Sequence, residues 1–237
     1  MHHPQTRHWS APAAVRTGAS AAPHSTHGDT GSATRRGYSP PLTSAVVRTE
    51  RSARVNVGAV NVSDTEWFDM PRGERVALHA PDPRWSRAAA YWTGRLRSVL
   101  TSRDVVIDHV GSTAVPGLTA KPVIDLQVQV PDLNDEPTFR PALESLGLVL
   151  RARSVELCFF RPPAERPRDV HVHICEFGSR WARDHLMFRD ALRADDGLAR
   201  EYGSLKQRLA RSFGNDRAAY NSGKSKFIAR VLARNPL

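Results

Sequence analysis

DHVGSTAVPGLTAKPVIDLQV, residues 108–128, joins two apolar runs through a loop punctuated by glycine and proline. The first run, Val105–Val110, is β-rich and stops at Gly111. The second alternates strictly: Ile124, Leu126, Val128 and Val130 share one face, and Asp125, Gln127 and Gln129 the other, which is the two-residue period of a strand. Between them, GSTAVPGLTA (111–120) has room for a helical turn that Ser112 or Thr113 caps. A glycine lets backbone approach a ligand closely. The serine hydroxyl and free N–H groups after it can hold a phosphate oxygen, more firmly where a helical turn begins. Asp125 on the next strand sets a carboxylate opposite that turn, the minimal scaffold for Mg²⁺-bridged phosphoryl or nucleotidyl transfer. The same spacing also fits an ordinary Gly-Ser turn and an exposed strand aspartate.

Working outward, Trp85, Ala88, Ala89, Trp92, Leu96, Val99 and Leu100 follow the helical period after a short extended segment at Arg75–His79. Beyond the stretch, Phe139, Leu143 and Leu146 mark a helix that stops at Gly147. Strands are expected over Ser154–Phe160 and Asp169–Cys175, joined by a proline-rich loop. Three helical patterns close the chain, the last with Asn215 as its expected cap. Strands grouped centrally, with helices at both ends, predict an α+β fold with a mixed sheet of about four to five strands and a C-terminal helical segment.

The 237 residues carry a net charge of +10. Residues 1–54 hold seven arginines against two acids, which is half of that excess. The first third is rich in Ala, Ser, Thr, Gly, Pro, His and Arg, so residues 1–69 are expected to be a disordered basic tail or linker and 70–237 the domain. Met70 is a candidate natural start, and the tail's faint likeness to a transit peptide is the weaker reading. A nucleic-acid partner has only charge behind it, since RGG repeats and stacking aromatics are absent. The two cysteines, Cys158 and Cys175, belong to no CxxC pair and read as buried thiols of a cytoplasmic protein. No apolar run approaches the ~18 residues of a membrane span. Oligomeric state is not legible. Gly223-Lys224-Ser225 echoes a phosphate-binding loop, but Ala218 stands where that motif needs glycine.

The 108–128 stretch strongly resembles the GrpB family. The resemblance extends through PDPRW (81–85), RDVHVHICEFGS (168–179), HLMFRDALR (185–193) and AYNSGKSKFI (219–228). It implies a nucleotidyltransferase-like fold, nucleotide binding and a relation to the domain fused to some dephospho-CoA kinases, where an accessory role has been suggested. Active nucleotidyltransferases carry two carboxylates on the strand after Gly-Ser. Here Gln127 takes the second position and cannot supply the charge.

His171 and His173, two residues apart on a strand, point the same way. With Asp125 they make a candidate catalytic or metal set, as a two-His, one-carboxylate site, a general base or a phosphate contact. Half-exposed strand histidines are the plain alternative. The candidate nucleotide-binding set is Gly111, Ser112, Thr113, Lys121, Gln127 and Arg189, the last paired with Arg193 one helical turn on. Tyr220 and Lys224 share a helix face by i, i+4 spacing, and the resemblance makes them cleft candidates. The expected ligand is a nucleoside triphosphate or another phosphorylated small molecule, with Mg²⁺ as cofactor. The competing reading is an accessory module that keeps the fold without the metal carboxylates.

Overall fold

The computed structural model describes residues 65–68, 75–101 and 104–234. Its elements are β1 (Glu66–Trp67), α1 (Arg84–Val99), β2 (Val106–Val110), a 3-10 turn (Ser112–Ala114), β3 (Ile124–Val130), α2 (Glu136–Ser145), β4 (Val149–Arg153), β5 (Cys158–Arg161), β6 (Val170–Glu176), α3 (Arg180–Ala194), α4 (Asp196–Phe213) and α5 (Arg217–Arg234). One mixed sheet runs in the order β1-β4-β5-β6-β3-β2. Among the described residues only β3 and β6 pair in parallel, placing Asp125 beside His171 and Gln127 beside His173. The α+β class and the C-terminal helical segment are as expected, but the sheet has six strands rather than four or five.

The strand alternation read from sequence decides which face is core. Ile124, Leu126, Val128 and Val130 of β3 pack with Val170, Val172 and Ile174 of β6 and Phe160 of β5 in one cluster. That cluster takes in Trp85, Ala89, Trp92 and Leu96 of α1 and Phe139 and Leu143 of α2. The other sheet face carries Asp125, Gln127, His171 and His173, and α3 crosses part of it. A second core joins α3, α4 and α5 through Phe188, Leu192, Tyr202, Phe227 and Ile228, and it captures Val115 and Leu118 from the 111–120 loop. The loop is therefore anchored in the helical layer at its apolar residues, leaving Gly111 and Ser112 at the seam between the layers.

The segment Arg75–His79 enters the fold through one bridge, His79 to Ala120. The far edge of the sheet is β1, which pairs with β4 at Glu66–Arg153 and lies N-terminal to residue 70. Other local readings change. The strand expected from Ser154 starts at Cys158, because the Ser154 hydroxyl accepts the backbone N–H of Glu156 and of Leu157 and turns the chain between β4 and β5. The cap of α5 is Asp216 rather than Asn215, with its carboxylate accepting the Ala219 N–H at 2.9 Å. Gly223 lies inside α5. A Cβ there would collide with Leu209 Cδ2, so this glycine serves the close approach of α4 and α5.

Candidate functional site

At the junction of β2 and β3, Gly111 has φ 71°, a left-handed conformation that glycine adopts without the strain a Cβ brings. A Cβ there would lie 2.5 Å from Asp125 Oδ2. The missing side chain is what lets the turn rest directly on the carboxylate. Val110 pairs with Asp125 across the ladder, so the register fixes this contact.

Asp125 faces the two imidazoles of β6. Its Oδ1 stands 3.1 Å from His171 Nδ1 and 3.6 Å from His173 Nε2. Burial alone would raise the Asp125 carboxyl, but the hydrogen bond from His171 and the nearby His173 imidazole outweigh it and hold it well below the usual carboxylate range. Burial lowers His171, with Asp125 opposing. A neutral His171 donating Nδ1–H to an ionised Asp125 satisfies both directions. Phe159 stacks on His173 at 5.1 Å and meets His171 edge-on at 5.0 Å, while Trp181 covers His173 at 5.3 Å. The rings are held by packing.

Ser112 is met from α4. Lys206 donates to its Oγ at 2.9 Å and to the Thr119 carbonyl, with Nζ 4.8 Å over the Tyr202 ring. The lysine is 2% exposed. Burial, with a smaller contribution from the charge of Lys224, pushes its ammonium down to about 7. Lys224, half-buried on α5 with its Nζ over Tyr220, is lowered to about 8, chiefly by burial and against the pull of Asp125. Two cations thus converge on the seam between Ser112 and Asp125.

The remaining candidates fall elsewhere. The Thr113 hydroxyl donates to the Val123 carbonyl and accepts from His109 Nε2 at 3.0 Å, tying the turn to the approach of β3. Burial lowers His109 to about 4, so it stays neutral and acts as that donor. The lysine seated on Ser112 is Lys206 rather than Lys121, which is half-buried ahead of β3. Gln127 is fully buried and donates to the Ala182 carbonyl at 3.4 Å, beneath the first turn of α3. Arg189 is engaged by Asp190, Asp108 and the His109 carbonyl, and Arg193 donates to the Ala114 carbonyl. The pair clamps α3 to β2 and the turn instead of opening toward an anion. His185, stacked on Trp181 at 3.6 Å and lowered to about 3 by burial, is a core residue.

Lys206 is hidden in the sequence because Leu198, Tyr202, Leu205 and Leu209 offer a competing apolar period for α4. The buried face runs Ala199, Tyr202, Gly203, Lys206, and a lysine at that spacing was the available signal. Two surface concavities, about 480 Å³ around His79–Trp85 and about 290 Å³ at the α4–α5 turn, are lined by other residues. The cluster meets solvent in part through Asp125, whose side chain is 30% exposed.

The model of the GrpB protein family matches residues 75–234. The chain belongs to the GrpB family. It is 35% identical over 174 residues to a UPF0157 protein of Streptomyces coelicolor, covering 73% of this chain and 91% of that one. The crystal structure of the conserved protein GrpB from Enterococcus faecalis superposes with TM-score 0.58 at 27% identity, over 65% of this chain and 94% of that one. A dephospho-CoA kinase of Mycolicibacterium paratuberculosis is 28% identical over 189 residues, covering 67% of this chain and 46% of that protein. Every residue of the Gly111–Asp125–His171–His173–Lys206–Lys224 cluster lies within the GrpB-matched region. Among the described residues, no helix is long and apolar enough to cross a membrane.

Mg²⁺, the cofactor expected from the sequence, fits this cluster poorly. It demands oxygen ligands in near-octahedral array. The donors offered are one carboxylate and two imidazoles, and the second carboxylate position is a glutamine sealed under α3.

Proposed function

We propose that this GrpB-family protein binds a phosphorylated small molecule, a nucleotide in the first instance, with its phosphate at the Gly111–Ser112 turn. The observation that carries this is Lys206, a buried lysine donating to the Ser112 hydroxyl and the Thr119 carbonyl, with no carboxylate partner among the described residues and Lys224 near it. A buried lysine costs several kcal/mol when it lacks a counter-charge, and a phosphate arriving at Ser112 supplies one. The Gly111 backbone brings that phosphate against Asp125, so a transferred group would lie beside His171, which Asp125 orients. Polymerase-type transfer through paired carboxylates is not the chemistry this site offers. The two buried free thiols favour a cytoplasmic setting.

Calorimetric titration with ATP, GTP, CTP and UTP tests the reading. Saturable binding to wild type, weakened at least about tenfold by Lys206→Met and by Ser112→Ala, supports it, on the scale of a lost charged hydrogen bond. The same affinity in wild type and both variants, or no saturable binding of any of the four, refutes it. Gln127 favours the second reading, an accessory module. Nucleotide binding indifferent to Asp125→Asn, with no turnover of the triphosphate, supports that module over an enzyme.

A further inference from the structure

Asp125, His171 and His173 are brought together by two neighbouring parallel strands, one donor from β3 and two from β6. One ligand atom from each lies within 4.8 Å of the others. Two ligands on a tetrahedral ion with bonds of 2.0–2.1 Å stand about 3.3 Å apart. The observed separations from Asp125 Oδ1, 3.1 and 3.6 Å, bracket that value. A hydrogen bond accounts for the shorter contact, but the His173 contact exceeds the N–H···O range. His173 Nδ1 is moreover buried without a hydrogen-bond partner among the described residues. Its ring therefore depends on Nε2, the atom aimed at Asp125, for polar compensation. Phe159 and Trp181 both pack against the imidazole, the kind of support that sets ligand orientation before an ion arrives.

We infer that Asp125, His171 and His173 form a binding site for a borderline transition-metal ion of the Zn²⁺ class, in preference to Mg²⁺. Imidazole nitrogen with a single carboxylate suits Zn²⁺ and its first-row neighbours. The inference names the metal class of the site proposed above, and it fails separately from the phosphate reading.

The test uses the full chain, stripped with chelator and titrated with Zn²⁺ alone, with Co²⁺ as the spectroscopic probe. One Zn²⁺ equivalent is expected to survive excess Mg²⁺, and Co²⁺ is expected to give the visible bands of a tetrahedral site. His173→Ala and the near-isosteric Asp125→Asn should each weaken that equivalent beyond the roughly 10–100-fold that losing an outer-shell partner costs. Circular dichroism confirms that each variant is folded, and Asp125→Asn decides the matter where His173→Ala is not. The chain's ten histidines make the variants decisive. Zn²⁺ bound equally by wild type and the folded variants sits elsewhere and overturns the inference, as does displacement by Mg²⁺ or no binding in wild type. ATP binding to the stripped protein, measured alongside, shows which reading failed.

Discussion

Gly111 has no side chain because Asp125 occupies the space one would need. Gly111→Ala should therefore move the carboxylate and strain the turn. We expect a loss of about 1–2 kcal/mol by thermal melting, the cost of a Cβ in left-handed backbone, together with loss of ligand binding by calorimetry. Lys206 yields a pH prediction. Its pKa falls from 10.5 unfolded to about 7 folded, so between those values the unfolded chain binds more protons and stability rises with pH. Below about 7 both states are protonated and the penalty of burying the charge is fully present. In Lys206→Met this contribution is gone. Wild type should gain stability relative to the variant from pH 7 to pH 10, by an amount on the order of a few kcal/mol at 1.36 kcal/mol per unit. Denaturant melts of both proteins across that range check it, and parallel stability curves would contradict it. At this scale Asp125, Gly111 and the two strand histidines were legible because glycine, strand period and i, i+2 spacing are local rules. Lys206 was not, since its burial depends on how α4 meets a loop some 90 residues earlier.

Among the elements, β3, β6, α1 and α2 were readable because their apolar residues repeat at the period of the element. β4 was not, because Arg151 and Arg153 interrupt its apolar run, and β1 is too short to show a period at all. A bulge between Leu150 and Ala152 breaks the β4 register at Arg151. β1 adds an outer strand, and Glu66 and Glu136 both pair with Arg153. Trimming the chain to begin at Met70 removes β1 and the Phe68 N–H bond to the Arg151 carbonyl. We expect the melting temperature to fall by a few degrees, at about 2–4 °C per kcal/mol for a protein of this size. An unchanged melt would place the domain start at residue 70. Gly223 gives a second test, because α4 presses Leu209 against it. Gly223→Val should cost about 1–3 kcal/mol by overpacking, readable in the same melts, with α4 and α5 loosened together.

For the molecule as a whole, the sheet supplies two faces with different work. One is an apolar floor for α1 and α2, and the other gathers chemistry where the helices α3–α5 leave a seam. Family membership and α+β class follow from sequence because they rest on many positions at once. The site's polarity depends on long-range placement, and the net charge of +10 did not point to it. The two lysines at the site, Lys206 and Lys224, are a small part of that charge, but Lys206 is buried on the Ser112 hydroxyl. The most direct measurement is the titration of Lys206 followed by the NMR signal of its ¹³Cε, with and without saturating ATP. Free protein should show a midpoint near 7, and bound nucleotide should move it upward by one unit or more as phosphate stabilises the ammonium. A midpoint that ATP leaves in place would contradict a phosphate at Ser112.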